Sequence, residues 1–350
     1  MTAPIARRGF ALLSAAALAA AVAACGTDQS DDTSEETAAE DEAVVLYSGR
    51  NEELIQPILD DFTAATGIEV DVRYSGTAEA AGLLLEEGEQ SPADLFLAQD
   101  AGALGAVSKA GLLSSLDEEL LGRVPETYRA SDGTWVGLTG RSRVLIYDPA
   151  KIAEDELPES VWDLTNEEWE GRVAIAPLNG SFQAFVTALR VESGDEAAAE
   201  WLEGMADAPQ REKNGPIVED VAAGELEAGL VNHYYIYEKA AEAGVPVEEF
   251  GPALHYFSPG DAGGLVNVSG IGALGDAAEN ENVAALLDYL LAAEAQTTFA
   301  ESTFEYPLIE GVAGPEGQPA LEELVGPEID LNDLDDLATT VQMIQEAGLA

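Results

Sequence analysis

The chain has 350 residues, 47% of them hydrophobic, which suffices for a substantial core and roughly two domains. Its 67 acids against 15 bases give a net charge of −52, yet the apolar content is too high for a disordered chain. A surface so short of Lys and Arg excludes nucleic-acid and anionic-membrane binding, because phosphate contacts need those residues.

The N-terminus reads as an export signal. Arg7 and Arg8 supply its charge, and residues 10–24 are apolar, uncharged and too few to span a bilayer comfortably. Val22-Ala23-Ala24-Cys25-Gly26 resembles the lipobox of bacterial lipoproteins, in which the cysteine is lipidated and becomes the mature N-terminus. Residues 1–25 are then the signal peptide. Cys25 is the only cysteine, so no intrachain disulfide forms; the plainer reading is a chance cysteine in a cleaved peptide. Arg7-Arg8-Gly9-Phe10 also resembles the twin-arginine signal, and an ordinary secretory signal fits equally. Residues 26–42 form a linker with eight acids between Asp28 and Glu42 and no base, a composition that repels itself and stays extended. Loss of residues 1–25 takes the net charge from −52 to −54. A coat of acids this dense is self-repulsive at low salt and screened at high salt, the pattern of adaptation to a saline habitat.

Residues 43–47 are a short apolar run suited to a buried strand, ended by Ser48-Gly49-Arg50-Asn51. A helix pattern follows, with Leu54, Ile55, Ile58, Leu59 and Phe62 on one face. Asn51 sits at its N-cap, Glu52 and Glu53 at its positive end, and Gly67 at its stop. Pro57 lies inside it as a tolerated kink. Residues 68–74 read as a strand, 77–87 as a helix ended by Gly88, 93–98 as a buried strand, and 101–109 as a helix ended by Gly111. This alternation predicts an α/β domain with a mainly parallel sheet. Ligands of such sheets sit beyond the carboxyl ends of the strands, where residues 48–51 and Gln99-Asp100 fall. A second α/β unit is expected from about Arg141. Its strands fall at 143–147, 172–176, 226–231 and 265–268, and its helices at 182–191, 196–205, 217–223 and 283–293.

The informative segment is Gly229-Leu230-Val231-Asn232-His233-Tyr234-Tyr235, where a strand runs into a helix pattern through paired tyrosines. Neighbouring side chains on a continuous strand point to opposite faces, so two phenols converge only where the backbone turns. Converging phenolates would make a hard, anionic oxygen site. With two histidines and no thiol beyond Cys25, the chain offers little to softer metals. A phenol has a pKa of about 10, so only a strongly Lewis-acidic ion such as Fe³⁺ would ionise a pair at neutral pH. Spacing alone equally allows two aromatic side chains packed at a strand end.

Beyond residue 43 the chain resembles the bacterial ferric-ion-binding proteins of ABC transporters. The resemblance rests on Tyr47-Ser48-Gly49-Arg50-Asn51-Glu52, Ser91-Pro92-Ala93-Asp94-Leu95-Phe96, Gly140-Arg141-Ser142-Arg143, Asn179-Gly180-Ser181-Phe182, Asn232-His233-Tyr234-Tyr235 and Glu305-Tyr306-Pro307-Leu308. It implies an α/β, two-lobe periplasmic-binding-protein fold (type II), with a ligand cleft between lobes joined by crossing hinge strands. Residues 43–140 plus about 266–318 would form the first lobe, and 141–265 plus about 319–350 the second. It implies a non-enzymatic, monomeric carrier of Fe³⁺, lipid-anchored at the outer face of the cytoplasmic membrane and serving the permease and ATPase subunits of an ABC importer. Tyr234 and Tyr235 are the implied ferric ligands. Asn179, Gly180, Ser181, Asn214 and Asn232 take the positions that hold a synergistic anion such as carbonate or phosphate. Their amides, hydroxyl and close backbone approach suit an anion beside a helix start.

The chain also departs from the family's pattern. A histidine and a glutamate of well-studied members are replaced here by Asn51 and Gln99, both poor Fe³⁺ ligands, and Phe182 stands where another branch has a third tyrosine. The ligand set is then two tyrosines plus anion or water. Arg50 and Arg141 are candidates for orienting the anion or, alternatively, for a helix-end or interlobe ion pair. Tyr147 is a weaker third-ligand candidate, His233 should point away from its tyrosine neighbours, and His255 is expected at the surface. One alternative keeps the fold but gives it an oxyanion or small organic anion. A secreted hydrolase is the other, although Gly-x-Ser-x-Gly and His-Glu-x-x-His motifs are absent from the sequence. Lipidation is checked by membrane partitioning: Cys25→Ala should release the protein into the soluble fraction, and unchanged membrane association would remove the lipoprotein reading.

Overall fold

Local punctuation sets the first helices. In the computed structural model, which describes residues 43–349, β1 (Val44–Ser48) is followed by α1 (Glu52–Thr66), whose last turn closes on Gly67 at φ 79°. Pro57 lies on the exposed face of α1, where the carbonyl it leaves without a donor meets water. Then come β2 (Val70–Tyr74), α2 (Thr77–Glu87), β3 (Leu95–Ala98), α3 (Ala101–Lys109) and the single turn α4 (Glu118–Leu121). The export segment, Cys25 and the acidic linker lie outside the described residues.

The next strand, β4 (Trp135–Tyr147), is long. The second half contains β5 (Val173–Ala174), α5 (Gly180–Ser193), α6 (Asp195–Gly204), α7 (Asn214–Ala222), β6 (Ala228–Asn232), α8 (Tyr234–Ala243), α9 (Val247–Phe250) and β7 (Ala253–His255). The chain returns through β8 (Val266–Ala273), α10 (Glu281–Leu290), α11 (Ala293–Thr303) and β9 (Tyr306–Pro307), and finishes with α12 (Leu337–Glu346). The apolar stretch at 283–293 is thus split between two helices, and the strand expected at 172–176 shortens to two residues plus a bridge from Ile175 to Gln210.

The strand order is β2-β1-β3-β8-β4-β6-β5, with β7 and β9 on β4. Pairs β1–β2, β1–β3 and β5–β6 are parallel; β3–β8, β8–β4, β4–β6, β4–β7 and β4–β9 are antiparallel. The sheet is therefore mixed, not mainly parallel, and β4 and β8 are the reason. From Trp135 to Ser142, β4 pairs with β8 of the first lobe; from Arg143 to Tyr147 it pairs with β6 of the second. These two strands cross between the lobes, and the expected boundary near Arg141 falls inside one continuous strand. Its polar stretch is a buried wall: Arg141, Ser142 and Arg143 are each under 5% exposed. Likewise β8 runs past the expected Val268 because Gly270 and Gly272 leave room for the backbone of β4 and for Leu104 and Leu113, where a Cβ would clash. Around β4 and β6 a second apolar cluster, including Val144, Ile146, Ile217, Val218, Val231 and Ile236, packs α7 and α8 onto the second lobe.

The C-terminal segment, expected wholly on the second lobe, is divided. A 3-10 turn over Leu331–Asp335 packs on α3 of the first lobe, and α12 packs on α5 and α6. Gly102 and Gly105 of α3 leave the notch in which the carbonyls of Leu334 and Asn332 sit. His255, expected at the surface, is half-buried in β7 with Nε2 bonded to the Pro158 carbonyl at 2.7 Å.

One residue locks the passage from β6 to α8. His233 is fully buried; its Nδ1 accepts from the Ser142 amide (3.1 Å) and its Nε2–H donates to the Phe304 carbonyl (2.9 Å). Phe304 presents that carbonyl from φ 55°, the left-handed region, where it is alone among described non-glycine residues. Only the neutral imidazole serves both bonds, and burial pushes its pKa down to about 4. Since the free residue titrates near 6.5, the unfolded chain binds the extra proton first, and stability falls as pH drops from about 6.5 towards 4. About 3 kcal/mol rides on this group. Urea unfolding across that window should show a slope that His233→Gln flattens; an equal slope in the variant would place the titration elsewhere.

Candidate functional site

Asn232, His233 and Tyr234 turn strand directly into helix, with His233 already at helical φ −55°. Tyr234 and Tyr235 are consequently the first two residues of α8, and their rings stack with centroids 4.3 Å apart at 30°. Tyr234 is 8% exposed and Tyr235 half-buried. Burial holds the Tyr234 phenol well above its ordinary pKa, with Tyr235 adding to the effect. His233, expected to point away from its tyrosine neighbours, meets Tyr234 edge-on and spends both ring nitrogens on backbone.

Both tyrosines line a cleft of about 850 Å³ between the lobes. Arg50, Asn51, Gln99, Arg141, Asn179, Gly180, Ser181 and Asn232 line it as well. Asn214 sits just behind that wall, fully buried, donating to Ser181 Oγ at 3.0 Å and to Asn179 Oδ1 at 3.4 Å, while its own Oδ1 is without a partner. Asn179 caps α5, accepting from the Ser181 amide (3.0 Å) and hydroxyl (2.6 Å). Tyr147 is not in the lining. It ends β4, four positions past Arg143, paired with Ala228 and Ala253 and buried in the core of the second lobe, so it has no access to the cleft. Phe182 packs against Phe185 and Trp201.

Two charged residues with no role assigned from sequence complete the site, one in the wall and one behind it. Arg143, the fourth residue of Gly140-Arg141-Ser142-Arg143, lines the cleft at 2% exposure. It donates to the Leu230 carbonyl (2.9 Å), Ser181 Oγ (3.3 Å) and Asn232 Oδ1 (3.4 Å), lies over the rings of Phe182 and Phe185, and keeps Nε without a partner. Burial pushes its pKa down to about 9, so it stays a cation at neutral pH. The sequence signal was available: arginines at i and i+2 of a strand share one face. Glu305 is the second. Its carboxylate pairs with Arg50 at 3.0 Å and Arg141 at 3.9 Å and accepts from Thr139 Oγ1 at 2.5 Å. Burial alone would raise this carboxyl, but Arg50 and Arg141 hold it below the usual range. Arg141 also donates to the Gln99 carbonyl, tying the start of the α3 loop to the hinge.

The backbone adds to this charge. The first residues of α1, α2, α5, α8 and α12 line the cleft, together with Asp100, which caps α3. Helix N-termini carry partial positive charge, so six of them favour an anion. Glu52, Glu53 and Glu79 stand exposed at the mouth. Among the described residues no group of three or more His, Cys, Asp or Glu side chains is placed to hold a metal ion.

A model of the bacterial extracellular solute-binding proteins matches residues 90–326. The Fe(3+)-binding periplasmic protein of Serratia marcescens is 33% identical, over 88% of this chain and 91% of its own. Iron-bound HitA from Pseudomonas aeruginosa matches the fold with a TM-score of 0.78 at 32% identity, covering 88% of this chain and 99% of that one. Trichodesmium FutA in complex with iron and citrate gives 0.76 at 26% identity, covering 88% and 100%. These relatives are carriers of solutes, not enzymes. With its two lobes, crossing strands and polar interlobe cleft, the chain belongs to the bacterial extracellular solute-binding protein family.

Proposed function

We propose that this protein captures ferric ion outside the cytoplasm and passes it to an ABC importer. The observation that carries the reading is the stacked pair Tyr234 and Tyr235 on the wall of an anion-attracting cleft that has no His or carboxylate cluster for a softer or divalent metal among the described residues. Burial keeps the Tyr234 phenol protonated at neutral pH, so the ion must displace a proton to bind it. A hard trivalent cation does this and gains a phenolate oxygen in exchange. Affinity therefore rises with pH from acid towards neutral.

The remaining positions on the metal fall to an anion, because Asn51 and Gln99 are weak ligands for Fe³⁺. Ser181, Asn179 and Asn232 would hold that anion against the start of α5, with Asn214 orienting Ser181 from behind. Arg50 and Arg141, held by Glu305, would face it from the other lobe. Carbonate or phosphate fits these groups, and citrate accompanies iron in the Trichodesmium relative. The export signal and Cys25 would tether the carrier to the outer face of the cytoplasmic membrane, beside the permease and ATPase subunits. A second reading, an oxyanion or small organic anion as the cargo itself, is favoured by Arg143, a buried cation whose hydrogen-bond partners are all neutral.

Colour separates the two. Ferric addition should produce a visible phenolate-to-iron band, strengthening from pH 5 to 7, and Tyr234→Phe or Tyr235→Phe should each abolish it while His233→Gln leaves most of it. Wild-type colour in both tyrosine variants would refute the ligand assignment, and tight anion binding with no band at all would favour the second reading.

A further inference from the structure

The helices that form the two cleft walls are tied together by the C-terminal segment. On the first lobe α3 begins beside Asp100 and ends at Lys109; on the second α5 begins at Gly180 and carries Arg190 in its last turn. The C-terminal segment reaches both. Its first part is fixed to the first lobe: Asn332 Oδ1 accepts from buried Trp135 Nε1 at 2.5 Å, Leu331 and Leu334 are buried, and Lys109 pairs with Asp333 (3.1 Å) and Asp335 (2.8 Å). The glycine notch of α3 admits this backbone at van der Waals limits, since a Cβ on Gly105 would lie 2.5 Å from the Asn332 carbonyl oxygen.

That turn, Leu331–Asp335, also touches α5 of the other lobe, and the very next residue is held from α5 by hydrogen bonds. Arg190 donates to the Asp336 carbonyl (2.8 Å), to its carboxylate (2.9 Å) and to Thr340 Oγ1 (2.9 Å), while the hydroxyls of Thr340 and Thr187 bond at 2.7 Å in the core. Asp336 also caps α12, and Leu337 behind it lines the cleft. Two adjacent aspartates are therefore gripped from opposite lobes, by two of the chain's 15 basic residues. One peptide link cannot stretch, so any change in the angle between the lobes has to be absorbed by the dihedral angles beside it.

We infer that residues 331–349 are a third connection between the lobes, besides β4 and β8, and that the joint between Asp335 and Asp336 sets how far apart the cleft walls stand. Arg190 is a positioning residue in this scheme: it acts through Asp336 on the relative placement of α3 and α5 and touches no ligand. The inference rests on the geometry of the connection and holds whatever the cleft carries.

Slackening the joint tests it without removing either anchor. Two glycines inserted between Asp335 and Asp336 should leave the far-UV dichroism unchanged. Spin labels at Glu86→Cys and Glu203→Cys, one exposed site on each lobe, read the interlobe distance in a Cys25→Ser background without metal. The insertion should shift that distribution to longer and broader distances, and Arg190→Gln should shift it in the same sense. If the labelled wild-type protein binds ferric ion, its affinity should fall roughly tenfold in the insertion variant, as the competent fraction falls. An unchanged distance distribution in the insertion variant, or in Arg190→Gln should the insertion not fold, overturns the inference. The absence of a ferric band in the wild type would instead count against the proposed cargo, leaving the distance result to stand by itself.

Discussion

Burying three guanidiniums at the cleft, with one carboxylate that pairs with two of them, is the constraint from which the cleft follows. Arg50, Arg141 and Arg143 are each 5% exposed or less, and a buried charge without compensation costs several kcal/mol. Glu305 offsets two of them directly and is itself kept ionised by them. Arg143 has only carbonyl, hydroxyl, amide and aromatic-face partners, so its charge is solvated by the protein rather than neutralised. Helix N-termini on both walls push the potential the same way. The cleft is thus preorganised for negative charge.

The hinge is what allows so much charge to be placed so accurately. Arg141 and Arg143 sit two apart on β4, the strand that leaves one lobe and enters the other between them. Side-chain alternation aims both at the same side, and the change of pairing partner puts one against each wall. His233 then fixes the second wall to the first: its ring joins Ser142 of β4 to Phe304, the residue before Glu305. Tyr234 and Tyr235 follow His233 immediately, so the backbone that carries the phenols is joined to that of Glu305 through the bond of His233 to the Phe304 carbonyl. The left-handed backbone at Phe304 is the local cost of aiming that carbonyl at the histidine.

Much of this was readable from sequence where the determinants are local. The ends of α1, α2 and α3 follow from Gly67, Gly88 and Gly111, whereas at their starts only Asp100 of α3 makes a side-chain cap and Asn51, expected to cap α1, makes none; the tyrosine pair and the Asn179-Gly180-Ser181 turn stood out as chemistry at element junctions. What was missed is non-local. Gly137, Gly140, Arg141 and Arg143 interrupt the apolar pattern of β4 and suggest a boundary, because the glycines answer to Leu308, Val268 and Val266 and the arginines to a cleft not visible in one strand. Glu305 and Arg50 are 255 positions apart, so neither announces the other. Residues 331–335 carry no strong periodicity, since their seat is a notch in α3 more than 200 positions earlier. Tyr147 has the right parity on β4 to face the way Arg143 does, but parity says nothing of how far the wall extends, and four residues carry it past the edge.

The contrast between the surface and the cleft bears on how an anionic solute or complex arrives. With a net charge of −52 the outer surface repels anions at long range, while the guanidiniums act only inside the cleft. At about 0.01 M salt the Debye length is roughly 30 Å, comparable to the size of a lobe, and the acid coat governs the approach. At about 1 M it shrinks to roughly 3 Å, so the coat is felt only at contact, whereas buried pairs such as Arg50 with Glu305 are far less screened. The same salt that quiets the exterior therefore leaves the receptor's own field standing. A dense acid surface and an anion-seeking cleft are then compatible in one molecule, provided the medium is saline enough to separate their ranges.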